Sequence, residues 1–256
     1  VSHVEYRKQA HVASIVLNRP EKLNAVTPEM ATEIARLADE VDRDRDVRVV
    51  VLSGAGDRAF CAGSDVGTLD PEASTWAVRN RELDYSYALR AVRKPLIAMI
   101  DGYATGGGLE LALVADIRYA SERSSFAAPE VRLGWTPGGG ASQLLPRLVG
   151  YGKAMELMLT GRMIPAAEAA ATGLVQRVVA DTDLERVTYE LAEEIASLSP
   201  IAVEAVKQAI RLSLSTPPEV GMHAENELFS ICFTSKDAAE GISAFMEKRA
   251  PVFRGY

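Results

Sequence analysis

Short apolar runs rich in β-branched residues recur through the first half of the chain. HVASIVLN (11–18), VRVVVLSG (47–54) and PLIAMIDG (95–102) each end at Asn or Gly and give way to polar residues, the pattern of strands bounded by turns. Between the first two, TPEMATEIARLADEVDRD sets Met30, Ile34, Leu37 and Val41 on one helical face. Thr27 is placed to cap that helix and Pro28 to open it. Strands alternating with helices predict a largely parallel sheet in an α/β layer. From about residue 138 the β pattern almost vanishes. GGGASQLLPRLVG, GKAMELMLTG, PAAEAAATG, DLERVTYELAEEIASLS, PIAVEAVKQAIRLSLS and PPEVGMHAENELFSICF all read as helices bounded by Gly or Pro. One β-run, LVQRVVA (174–180), interrupts them. The chain therefore reads as an α/β core followed by a helical C-terminal region.

Composition narrows the function classes. Of 256 residues, 48% are hydrophobic and 25% charged, as in ordinary globular proteins, and the net charge is −7. Such a chain has no overall field to attract nucleic acid or an anionic membrane, so neither is expected as a partner. No run approaches the length of apolar sequence a membrane span needs, and VSHVEYRKQA does not resemble a signal peptide. Two cysteines, Cys61 and Cys232, suit a reducing compartment, and a cytoplasmic location is expected. The three histidines are scattered without metal-ligand spacing, so no metal site is expected. The glycine-rich turns fail the phosphate-loop templates. GAGDRA has Ala59 in place of the last glycine, GGGLEL fails at Leu111, and GYGKAM has Ala154 where a P-loop needs Ser or Thr.

Three glycine-bearing stretches carry candidate chemistry. In DGYATGGGLELALVAD (101–116), Glu110 follows three glycines and sits among apolar residues on all sides, the pattern of a buried helix. Its N-terminal N–H groups would face the glycines, where another molecule can approach the backbone. Gly107 and Glu110 are three residues apart and so share a helical face. Read alone, the stretch fits either a working helix end or a tight turn followed by an ordinary first-turn glutamate. FAAPEVRLGWTPGGG (126–140) places Glu130 between small and apolar residues, and reads equally as a solvated turn carboxylate. RAFCAGSDVG (58–67) is a small-residue turn after a strand.

Together these stretches resemble the enoyl-CoA hydratase/isomerase (crotonase) family. The resemblance is carried by AFCAGSDV, KPLIAMIDGYATGGGLELALVADIRYA, FAAPEVRLGWTPGGGASQLLPRLVG and LTGRMIPAAEAAATGLVQRVV, and extends to IVLNRPEKLNAV and EGISAFMEKRAPVF near the two ends. It implies an α/β fold, a spiral of ββα repeats, with C-terminal helices that build trimers or dimers of trimers. On that basis the chain divides into a spiral core, 1–195, and a helical region, 196–256.

The resemblance also implies an acyl-CoA thioester as the bound partner. Its enolate-like anion would be held by two backbone N–H groups, at positions matching Ser64 and Gly107. Only the backbone of Ser64 is used, so its side chain is expected to matter little. Glu110 matches the base that activates water for attack at C3, Glu130 the acid that protonates C2, and Gly138 a turn that leaves room for the water. Lys22, Leu23 and Ala62 match positions along the pantetheine and adenine, with Asp65 in the same CAGSD loop counted among the CoA-binding residues. Phe245 and Lys248 match positions that approach the adenine end from a neighbouring subunit. Lys22 and Lys248 read equally as solvated surface lysines.

The implied reaction is hydration of a trans-2-enoyl-CoA to a 3-hydroxyacyl-CoA, as in fatty-acid metabolism, with no cofactor because the CoA thioester is itself the substrate. The alternatives are Δ3–Δ2 enoyl-CoA isomerisation, which needs only one proton-shuttling base, and a non-catalytic relative that binds acyl-CoA or RNA. Trp135, Ala141 and Ser142 depart from the common hydratase pattern. The stretch 67–92, which in the family shapes the acyl pocket, matches no particular subgroup.

Overall fold

A computed structural model describes residues 3–68 and 85–256. Most of the stretch expected to shape the acyl pocket, residues 69–84, lies outside the described residues.

The chain opens with an antiparallel hairpin, β1 (Val4–Gln9) and β2 (Val12–Leu17), in register from Val4 opposite Leu17 to Gln9 opposite Val12. The amphipathic helix α1 (Pro28–Arg43) follows. Thr27 Oγ1 accepts the Met30 N–H as its cap, and Met30, Ile34, Leu37 and Val41 are all buried. β3 (Val49–Gly54) then pairs parallel to β2. From here the chain coils between two sheets. After β3 comes β4 (Ala59–Cys61) and, beyond residue 84, helix α2 (Tyr85–Ala91). The next turn is β5 (Leu96–Ile100), β6 (Tyr103–Thr105) and α3 (Gly107–Val114), followed by β7 (Ile117–Ser121) and β8 (Ser125–Ala127). β3, β5 and β7 enter the larger sheet, of order β1-β2-β3-β5-β7-β10, while β4, β6 and β8 form a smaller one closed by β9 (Ile164–Pro165).

The larger sheet is covered on both faces, which explains why its central strands read as near-continuous apolar runs. Val50, Leu52, Leu96, Ala98 and Ile100 face the main core with α1 and α3. The alternate positions Val49, Val51 and Ile97 pack with Ala192 and Ala196 of helix α7 (Leu184–Ala196) on the other side. The C-terminal half otherwise holds α4 (Ala141–Val149), α5 (Tyr151–Thr160), α6 (Ala166–Ala171), α8 (Pro200–Leu212), α9 (Pro218–Phe233) and α10 (Lys236–Glu247), with β10 (Arg177–Val179) as the lone larger-sheet strand among them.

Every strand and helix read from the pattern is found, although the run at 174–180 is a strand over three residues only. β1, β4, β6, β7 and β8 lack a comparable signal. β4, β6 and β8 are three residues each, too short to show a period, and β7 carries a buried Arg118.

Candidate active site

The three glycines at the head of α3 answer three separate demands. Gly106 caps the helix at φ 55° and ψ −127°, backbone that an L side chain resists. At Gly108 a Cβ would overlap the Cys61 carbonyl, so this glycine lets the helix settle against β4. Gly107 lies between these two and faces the CAGSD loop. A Cβ there would lie 3.4 Å from Ser64 N and collide with the Tyr85 hydroxyl, while a Cβ on Gly63 would lie 3.0 Å from Gly107 N. Helix head and loop are thus in van der Waals contact, with bare backbone on both sides.

Ser64 and Gly107 each turn a backbone N–H away from internal partners. In the parallel bridge of Val26 with Ser64, Val26 N–H donates to Gly63 O and Asp65 N–H to Val26 O, both at 2.8 Å. That pattern engages the residues on either side of Ser64 and leaves Ser64's own N–H facing the other way. Gly107 is the first residue of its helix and has no intrahelical acceptor. Among the described residues neither N–H donates to a protein carbonyl.

Glu110, one turn into α3, is buried. Its Oε1 accepts the N–H of Gly139 at 2.6 Å and of Ala141 at 3.2 Å, the latter at the start of α4. A helix N-terminus and two amide donors suit a charged carboxylate. Glu130 has a different setting. It begins the short 3-10 turn Glu130–Leu133 and is buried, and its Oε2 has no hydrogen-bond partner among the described residues. Burial pushes its carboxyl above the usual glutamate range. A Cβ on Gly106 would lie 3.5 Å from Glu130 Oε1, so this carboxyl stands beside the residue that precedes Gly107.

Comparison with known proteins gives the family and the fold. The enoyl-CoA hydratase/isomerase family model matches residues 7–256. The chain belongs to that family. It is 40% identical over 250 residues to a putative enoyl-CoA hydratase/isomerase, YngF, of Bacillus subtilis, covering 97% of this chain and 96% of that one. It is also 40% identical over 246 residues to an (E)-benzylidenesuccinyl-CoA hydratase of Thauera aromatica, covering 96% of each. A crystal structure of an enoyl-CoA hydratase from Bacillus anthracis superposes with a TM-score of 0.94 at 37% identity over the full length of both chains. The fold is therefore the crotonase fold.

Within this member of the family the residues expected along the CoA portion fall into three groups. Leu23 and Ala62 are joined, since Ala62 N–H donates to Leu23 O at 3.0 Å, and the exposed Lys22 precedes them. Asn24 holds that loop in place. It is fully buried, and its Nδ2 donates to Ala59 O at 2.7 Å and to Ala55 O at 2.9 Å. Asp65 is engaged internally. Arg19 Nη1 donates to its Oδ2 at 2.6 Å and Gly67 N–H to its Oδ1 at 3.0 Å, and the guanidinium holds the carboxyl below its usual range. Asp65 thereby fixes the loop that presents Ser64. Phe245 and Lys248 lie on and just after α10. Phe245 is 83% exposed, and the helix takes its main packing from α9.

Gly138 is exposed, and a Cβ there would meet nothing within 4 Å. Its neighbour Gly139 makes the close contact instead. A Cβ on Gly139 would lie 2.6 Å from Glu110 Oε2 and 2.6 Å from Ser86 Oγ. Ser86 Oγ also donates to Gly139 O at 3.1 Å, which steadies the turn that holds Glu110. Beyond Gly139 a cavity of about 200 Å³ opens, lined by Tyr87, Arg90, Val114, Gln143 and Leu144 among others. Tyr85, Ser86 and Gly139 fall within stretches that the sequence pointed to, but none was singled out as a residue, because each reaches the site through a contact across the fold.

Proposed function

We propose that the protein adds water across the C2=C3 double bond of a trans-2-enoyl-CoA. The observation that carries this reading is the unequal setting of two buried carboxylates around one pair of free backbone N–H groups. The thioester oxygen would sit on Ser64 N–H and Gly107 N–H, which take up the negative charge that develops there. Glu110, held by amide donors, is suited to the charged form that accepts a proton from water as its oxygen bonds to C3. Glu130, favoured in its protonated form by burial, is suited to deliver a proton to C2. Exchange with solvent then returns both carboxyls to their starting states. General acid–base groups each contribute about 10²–10⁴-fold and an oxyanion donor about 10²–10³-fold.

An isomerase needs only one shuttling base, so a second buried carboxyl favours hydration. The reaction as proposed needs no cofactor. The CoA portion would run along Lys22, Leu23 and Ala62, with Phe245 and Lys248 contributed by a neighbouring copy. Exposed apolar residues on the C-terminal helices, among them Phe229, Ile231, Phe233, Phe245 and Met246, support assembly into a trimer or a dimer of trimers.

Incubation with crotonyl-CoA tests the reading directly. Absorbance of the conjugated thioester should fall as 3-hydroxybutyryl-CoA forms. No loss with crotonyl-CoA or with longer enoyl-CoAs would overturn the hydratase assignment.

A further inference from the structure

The cradle between the CAGSD loop and α3 holds one polar group that the two backbone donors do not account for. Tyr85 opens α2 and is only 5% exposed, and its hydroxyl lies 3.3 Å from Ser64 Oγ. The same hydroxyl is the nearest atom a Cβ on Gly107 would strike, in the space that Ser64 N borders at 3.4 Å. The Tyr85 hydroxyl therefore lies in the space left by the missing Gly107 side chain, which Ser64 N and Gly63 Cα each border at 3.4 Å. An oxygen seated about 2.7–3.1 Å from the N–H groups of Ser64 and Gly107 would come within reach of that hydroxyl.

We propose that the Tyr85 hydroxyl is a third hydrogen-bond donor to the thioester oxygen, with Ser64 Oγ as its positioning partner. This rests on the enoyl-thioester reading of the same cradle. A buried tyrosine hydroxyl needs a polar partner, and 3.3 Å is long beside the roughly 2.5–3.0 Å of a good O–H···O bond. The phenol is thus held in direction yet open to a better acceptor, and an oxygen gaining negative charge is one. When Tyr85 donates to that oxygen, Ser64 Oγ–H donates back to the phenol oxygen. Burial and the nearby Glu110 and Glu130 keep the phenol protonated, so it stays a donor across the neutral range. A role in packing alone would be served by the ring, whereas here the hydroxyl faces the cradle. The inference also revises the expectation that only the backbone of Ser64 counts.

The test uses the full chain as Tyr85→Phe and Ser64→Ala variants, with the CoA thioester of 4-dimethylaminocinnamic acid as probe. Absorption of this push–pull chromophore moves to longer wavelength as its carbonyl oxygen is polarised. Wild type should bind it with a red shift. Tyr85→Phe should bind with a Kd changed less than about tenfold and a clearly smaller shift, and should lose about tenfold to a hundredfold in kcat on crotonyl-CoA with little change in KM. Ser64→Ala should fall between the two. An unchanged shift with kcat within about twofold in Tyr85→Phe would overturn the proposal, as would the absence of any shift in wild type. Should Tyr85→Phe fail to fold, the Ser64→Ala shift decides, and equality with wild type overturns. A wild type that shifts the probe but hydrates nothing would remove the hydratase reading and leave Tyr85 to be judged on the shift alone.

Discussion

At the scale of single residues, the division of labour proposed for the two glutamates rests on what surrounds each carboxyl. Glu110 is met by two N–H donors, whereas Glu130 Oε2 is buried with no partner among the described residues. Glu130→Gln should abolish hydration of crotonyl-CoA while acyl-CoA still binds, as steady-state kinetics and a binding titration would show. It should also stabilise the fold at neutral pH. Burial raises the folded-state pKa of Glu130 above its unfolded value, so ionisation costs more in the folded state than in the unfolded chain. Below the unfolded pKa both states are protonated and the cost is absent. It grows as pH rises through the unfolded and then the raised folded pKa, and is complete above the latter. Thermal melts should therefore show Glu130→Gln above wild type at pH 7, by about 2–4 °C for each kcal/mol relieved, with the gap closing in acid. A gap of the same size at all pH values would contradict this origin.

At the scale of elements, helix α3 is short and almost wholly buried, so its two ends decide whether Glu110 is held in place. Its N-terminus uses glycines to approach the CAGSD loop and β4. Its C-terminus is finished by Arg118 of β7, itself only 3% exposed, whose guanidinium donates to Ala115 O at 2.6 Å, Ala112 O at 3.2 Å and Leu174 O at 2.7 Å. A cation at helix carbonyls is favourable, and it satisfies acceptors that burial would otherwise strand. Burial draws the guanidinium down to about 10, still well above neutral pH, so it remains charged. Arg118→Met should lower stability by about 2–4 kcal/mol in chemical unfolding, because three buried carbonyls lose a donor. Activity should fall with it as Glu110 loses its fixed position. A loss below about 0.5 kcal/mol, the range of an ordinary surface change, would show that α3 holds itself.

At the scale of the whole molecule, the C-terminal helices are tied to the core yet leave much apolar surface open. Lys207 and Arg211 of α8 reach Asp116, just after α3, at 2.6 Å and 3.0 Å, and Lys207 Nζ also donates to Lys94 O at 2.5 Å. Beside this junction lies a cavity of about 790 Å³ with mainly aliphatic walls, including Leu113, Leu144, Val203 and Ile210. Helix α9 has no buried residue in the single chain. Light scattering or sedimentation should therefore give the mass of three or six chains, and Phe229→Asp should shift it toward smaller species. A wild-type monomer would contradict the assembly.

Much of this was readable from the sequence. Its apolar periods determine the buried strands at 11–18, 47–54 and 95–102, helix α1 and the helical second half, because long elements bury one face repeatedly and so write their period into the chain. Its motifs also placed Glu110, Glu130, Ser64 and Gly107 together through family resemblance. Only the tertiary structure decided the rest. Three-residue strands such as β4 and β6 have no period to read, and their place follows from the coil that stacks them. Gly139 rather than Gly138 meets Glu110 and Tyr85 enters the cradle, through contacts 29 and 21 residues apart in sequence, and Arg118 closes α3 where the chain turns back from helix to strand. Such contacts depend on where the backbone passes, which local propensity does not encode.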